Sequence, residues 1–175
     1  SAMAKAQPFE VLSTLAGGIE LRHYPAHTVI SVEVSADFES AGSIAFGPLV
    51  SYISGANTTG QKMAMTAPVV QAPHADSHTI SFVLPEGTDP HAAPLPVDGR
   101  VSVGQVAPRE VAALRFSGSW RKDRVMQKTQ LLLEGLATQG IKVSGDVFYG
   151  RFDSPAVPGF LRHNEALVEV ANLHP

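Results

Sequence analysis

The chain contains no cysteine, and that absence removes a disulfide framework, a thiolate nucleophile and every cysteine-based zinc or iron-sulfur site. It is also short of charge: Asp, Glu, Lys and Arg make up 17% of residues, and the formal net charge is -3. There is no basic excess to draw in nucleic acid or an anionic membrane. Apolar runs are short as well. None approaches the roughly 20 residues that a membrane-spanning helix needs, and the amino terminus lacks a charged stretch followed by an apolar one. The expectation is a cytoplasmic protein with no membrane span and no nucleic-acid partner. Missing too are a G-x-S-x-G elbow, a Gly-rich phosphate loop and H-E-x-x-H, so no familiar catalytic constellation argues for an enzyme.

What is present suits a folded protein. Hydrophobic residues form 44% of a 175-residue chain, enough for one substantial core without staples. A single domain over 1–175 is expected, with Ser1-Ala2-Met3 as an appended remnant and residues 1–7 as a flexible amino terminus. Ile19 to Val34 reads as two strands broken at Tyr24-Pro25, where proline suits a bend. Ile19, Leu21 and His23 share one face of the first; Thr28, Ile30, Val32 and Val34 share one face of the second, opposite Ser31, Glu33 and Ser35. Asp37 or Ser40 can cap a helix that runs to about Ser54 and stops at Gly55. Ile44, Phe46, Leu49, Val50 and Ile53 form its predicted apolar stripe.

The stretch GQKMAMTAPVV follows, from Gly60 to Val70, and its alternation predicts a strand with Met63, Met65, Ala67 and Val69 on one face. Methionine fills irregular space and also lines adaptable pockets, so this face is either core or pocket wall. Pro68 is expected to end strand pairing. After HTISFVLP, with Ile80, Phe82 and Leu84 alternating, Pro85 to Gly99 holds four prolines and reads as a loop.

The second half then repeats the first. An offset of 82 residues sets Val101, Val103, Val111, Leu114, Phe116 and Trp120 against Ile19, Leu21, Val29, Val32, Val34 and Phe38. A second helix carries Val125, Thr129, Leu132, Leu133 and Leu136 on one face and stops at Gly140. Val147 to Phe152 and Ala166 to Val170 supply two more strands; Ser154 to Val157 echoes Thr66 to Val69, and Ala166, Val168 and Val170 echo Ile80, Phe82 and Leu84. The predicted class is therefore α+β: two β-α-β-β units that can close their strands into one mixed barrel-like sheet with two helices, leaving a cleft where a helix meets the sheet.

Among titratable residues, His27, His91, His163 and His174 fall near turns or the terminus and are expected to be solvated. His74 and His78 flank Asp76, a spacing open to weak metal binding, against which exposed loop chemistry is the blander reading. Glu165 and Glu169 read as a solvated strand edge, and Arg121, Lys122 and Arg124 beside Asp123 as a solvated helix start. His23 stands apart because it shares its face with Ile19 and Leu21. Such a histidine is either structural or, in an apolar cleft, an axial donor to haem iron, with a thioether of Met63 or Met65 as a second ligand.

Four stretches, IELRHYP, FGPLVSYISGAN leading into KMAMTAPVV, PREVAALRFSG and FLRHNEALVEV, appear in this order over about Pro8 to Val170. In combination they resemble the SOUL haem-binding proteins. The resemblance implies a duplicated β-α-β-β barrel with two long helices, a fold similar to the effector-binding domains of bacterial multidrug-sensing regulators. It also implies non-catalytic binding of haem or another tetrapyrrole for buffering, transport or delivery, the alternative being a module that senses a different flat apolar ligand. The axial histidine of some members lies in the same RHY context and maps onto His23; others hold porphyrin in an apolar cleft along the first helix, where Phe46 and Val50 would fall. Met63 and Met65 would sit between helix and sheet beside that cleft. Where such relatives carry basic residues on the helix, this chain has Ser43 and Ser51, which leaves Lys62 and Arg162 as the propionate partners.

Overall fold

The computed structural model describes residues 5–153, 158 and 162–171. Among them lie ten strands and two α-helices, a mixed α+β fold. In chain order these are β1 (Lys5–Ala6), β2 (Glu10–Thr14), β3 (Glu20–Tyr24), β4 (His27–Val34), α1 (Ala41–Ile53), β5 (Thr66–Pro73) and β6 (His78–Val83). There follow β7 (Val101–Val106), β8 (Arg109–Phe116), α2 (Lys122–Thr138), β9 (Phe148–Arg151) and β10 (Asn164–Glu169). Both strand boundaries around Tyr24-Pro25 and the loop after β6 fall where proline and alternation place them.

The repeat is real: β8 begins and ends 82 residues after β4, and each repeat runs strand, strand, helix, strand, strand. Both helices also stop the same way. Gly55, at φ 115°, and Gly140, at φ 71°, adopt the left-handed conformation that only glycine takes without strain. At the first stop Ala56 N donates to Ser51 O at 2.9 Å; at the second Ile141 N donates to Leu136 O at 3.0 Å.

Contacts divide the chain into two compact units, Ala26–Ala107 with the segment ending at Gln7, and Pro8–Pro25 with the segment beginning at Pro108. In the first, strands pair in the order β1-β5-β6-β4-β7, antiparallel except for β1 with β5. In the second the order is β2-β3-β8-β10-β9, antiparallel throughout. The opening strand of each repeat therefore pairs with the other repeat: β3 lies beside β8, and β7 beside β4. Periodicity locates strands and their faces but carries no information about partners, so the exchange was invisible in the offset.

The core of the first unit packs Ile30, Val32 and Val34 of β4 and Ile80 and Phe82 of β6 against α1. In the second, Val125, Leu132 and Leu136 of α2 are buried, and Val111, Ala113, Leu167 and Tyr24 form a cluster with Phe148 packed on it.

Four expectations are corrected. The buried stripe of α1 is Ala41, Ala45, Leu49, Tyr52 and Ile53, whereas Ile44 is 54% and Phe46 46% exposed. Small residues let the helix approach the sheet closely, so alanines take the inner face that the larger side chains were expected to hold. Met63 and Met65 lie ahead of β5, not on it. The Asn57 carboxamide donates to Tyr52 O and Gln61 O at 2.9 Å, and Met63 N donates to Ile53 O at 2.8 Å, which folds this stretch back onto the helix end. Pro68 does not end pairing: the register between β5 and β6 shifts between Thr66 and Val69, a bulge that accommodates the missing N–H. Finally, residues 5–7 are tied down. Lys5 and Ala6 pair with Thr66 and Ala67, and Gln7 N donates to Ala67 O at 2.8 Å. The strand predicted around Val147 to Phe152 is β9; Ser154 to Val157 lies outside the described residues.

Candidate functional site

His23 sits on β3 in the second unit, and the chain on either side of it is held unusually firmly. Arg22 is 4% exposed and Glu165, on β10, 2% exposed. The guanidinium donates through Nη1 to Glu165 Oε1 at 2.7 Å and through Nη2 to Oε2 at 2.8 Å, a bidentate pair. Nη1 also donates to Tyr24 Oη at 2.9 Å, Nε and Nη2 reach Glu20, and the group stacks 4.1 Å from the Phe9 ring centre. Burial alone would raise the Glu165 carboxyl, but hydrogen bonds from Arg22 and His163 and the adjacent Arg22 charge outweigh it and bring the group down to about 2. Burial likewise opposes the Arg22 charge, and Glu165 reverses that effect.

His23 points to the other face, since neighbours on a strand alternate. It is half-buried and directly opposite Glu10 on β2 and Glu110 on β8. Among the described residues its imidazole has no hydrogen-bond or ionic partner. The strand is thus pinned on one face while the imidazole on the other keeps both ring nitrogens available.

The remaining helix and methionine candidates belong to the first unit. Phe46 meets the Phe82 ring edge-on with centres 5.7 Å apart, and Val50 is half-buried against the core. Ser43 and Ser51 are exposed. Met63 and Met65 are half-buried and pack on the same core. Met63 also lines a cavity of about 450 Å³, together with Lys62, Glu86, Thr88, Asp89 and Ala93. Its far wall is the proline-rich loop after β6, held in place by Tyr52 Oη donating to Pro94 O at 2.6 Å and Thr28 Oγ1 donating to Thr88 O at 2.6 Å. Lys62 is exposed and makes no ion pair with the described residues. So the structure brings Lys62 and Met63 to one cavity, with Phe46, Val50 and Met65 elsewhere in that unit, while His23 and Arg162 belong to the other.

Several titratable residues are not where sequence reasoning put them. Glu165 is buried in its ion pair and not solvated, while Glu169 is half-buried and lies 4.0 Å from Arg109. His163 stacks on Phe152 with ring centres 4.1 Å apart and bonds to Glu165 Oε2 at 3.0 Å. His174 lies outside the described residues, as do Phe160 and Leu161 of the last motif. His27 is half-buried, and His91 is exposed as expected. His74 bonds to Thr79 Oγ1 at 2.7 Å, and His78 to Gln71 at 3.2 Å, so the two flank Asp76 without converging on it. No cluster of three metal-ligating side chains occurs among the described residues. Arg121 and Asp123 form an exposed pair at 2.8 Å. The Arg22 network was the missed feature, and its signal was available: Arg22 lies within the mostly apolar IELRHY and Glu165 within NEALVEV, each too costly to bury without the other.

Among the described residues no helix is long and apolar enough to cross a membrane. The sequence pattern that defines the SOUL heme-binding protein family matches residues 4–169. Heme-binding protein 2 of Homo sapiens is 31% identical over 159 residues, covering 85% of this chain and 76% of that protein. Its Mus musculus counterpart is 30% identical over 141 residues, covering 76% and 68%. Two solved structures share the fold at 10% identity. The EcmrR C-terminal domain has a TM-score of 0.66 and covers 89% of this chain and 98% of its own. A hydrolase from Listeria innocua has a TM-score of 0.63, covering 91% and 94%. Likeness at that identity concerns the fold alone.

Proposed function

Because the chain belongs to the SOUL heme-binding protein family, we propose that it binds haem or another tetrapyrrole without transforming it, and so buffers, carries or delivers the pigment. The observation that carries this reading is the His23 imidazole, unpartnered among the described residues on a strand whose other face is locked by Arg22 and Glu165. A histidine held this way could donate a ring nitrogen to a haem iron without first giving up another bond. Haem would supply an iron able to accept a nitrogen donor and a flat apolar ring edged by two carboxylates. Away from His23, the first unit offers a flat ring an alternative apolar surface at exposed Ile44 and Phe46 on α1. Ser43 and Ser51 contribute hydroxyls only.

The test is a haemin titration followed by absorbance on the native protein, His23→Ala and Phe46→Ala. A saturable Soret shift that disappears in His23→Ala and persists in Phe46→Ala is the expected result. A shift that survives in His23→Ala and weakens in Phe46→Ala transfers binding to α1. No saturable shift in the native protein overturns the haem reading. A second reading, a module for a different small organic ligand, is favoured by the cavity, where Glu86 and Asp89 would repel haem propionates. A dye panel in which cationic compounds outcompete haemin supports that alternative.

A further inference from the structure

The two units end their sheets differently. In the second, β2 covers the outer edge of β3, pairing Glu10 with His23 and Thr14 with Glu20. The repeat counterpart of β3 is β7, at the same end of the first unit's sheet, and among the described residues no strand but β4 pairs with it. Residues 82 positions after β2 fall at 92–96, in the proline-rich loop. That segment is committed elsewhere: Thr58 N donates to Leu95 O at 2.9 Å, and Pro96 bridges Asn57. Among the described residues no segment therefore plays the part of β2 in the first unit.

An open edge is usually defended by a charge, a proline or a bulge. β7, VSVGQV, has none of these. It carries no charged side chain, and its register with β4 runs unbroken over six residues from His27↔Val106 to Val32↔Val101. Ser102 and Gln105 are exposed. We propose that this edge pairs antiparallel with β7 of a second copy of the chain, which supplies to each first unit the strand that β2 supplies to the second. A two-fold axis normal to the sheet demands that one residue face its own copy. With Val103 on the axis, valine meets valine, and Ser102 faces Gly104 of the other copy without steric conflict. Carrying no charged side chain, β7 meets its own copy without like-charge repulsion and offers no complementary charge to a charged partner segment, which favours a second copy.

The test is sedimentation velocity from roughly 1 μM to 1 mM, the range of weak to moderate self-association. The native chain is expected to dimerise, and Ser102→Lys combined with Gly104→Lys to weaken the dimer at least about tenfold, because lysines then stand opposite one another twice across the axis. Ser102 is exposed, and a Cβ at Gly104 meets nothing within 4 Å, so the variant retains the native fold by circular dichroism. A control placing the same charge on α2, Gln127→Lys with Gln130→Lys, keeps the dimer. Hydrogen exchange on the native chain gives an independent reading: β7 amides gain protection as concentration rises. A monomer throughout the range, a dimer unaffected by the lysine pair, or β7 protection that appears only on adding an extended peptide each overturns the proposal.

Discussion

Replacing Glu165 with Gln keeps the shape of the side chain and removes its charge, which isolates what the buried ion pair contributes. Arg22 would lose a partner at 2.7 and 2.8 Å in surroundings where the two side chains are only 5% and 3% exposed. Orphaning one member of a buried pair costs about 3–5 kcal/mol. Glu20 still accepts from Nε and Nη2 at 3.0 and 2.8 Å, and Tyr24 from Nη1, so the lower end of that range applies. Proton linkage gives a second route to the figure. A carboxyl brought from an ordinary 4.5 to about 2 corresponds to about 3 kcal/mol, at 1.36 kcal/mol per pH unit. The folded value lies below the unfolded one, so this stability is fully present above about pH 4.5 and drains away as pH falls toward 2. Urea unfolding at pH 7 should therefore show a loss of about 3 kcal/mol in Glu165→Gln, and a pH 5 to 2 series should be flatter in the variant than in the native chain. Arg22→Met combined with Glu165→Leu should recover much of the loss, because no charge is then left stranded. A loss under about 1 kcal/mol, the value of a solvated surface pair, would refute the reasoning.

The true inner face of α1 is checked by two truncations: Leu49→Ala should cost about 2–5 kcal/mol in thermal or urea unfolding, while Phe46→Ala, removing a half-exposed ring, should cost under about 1.5 kcal/mol. Equal costs would return Phe46 to the core. On α2, a methyl added at Gly135 would clash with Ile19 Cδ1, so Gly135→Ala should destabilise by about 1–3 kcal/mol despite its better helix propensity. Adding Ile19→Val removes the obstructing carbon, so the pair should be less damaging than the sum of the single changes, and strict additivity would rule out the contact.

Much of the fold could be read from the chain alone because its signals are local. Alternation at Thr28, Ile30, Val32 and Val34, glycines at Gly55 and Gly140, and the offset between repeats follow from backbone geometry that a few neighbouring residues dictate. His23 could be singled out for the same reason, as an exception to a periodic pattern, whereas Phe46 and Val50 were site candidates only through the family resemblance. Partner choice is a different kind of fact. Nothing within β3 or β7 says that each pairs with the other repeat, because backbone hydrogen bonds are the same whichever strand supplies them. The methionine stretch alternates like a strand, yet the Asn57 carboxamide and the Ile53 carbonyl hold it against the helix end. Glu165 looks like a solvated acid in NEALVEV until β3 delivers Arg22 from 143 residues away, and only then does burying its charge become favourable. Sequence by itself determined where both helices stop and how β4 alternates, because neighbouring residues dictate that geometry. Tertiary structure decided which charges meet, because that free energy exists only when distant segments exclude water together.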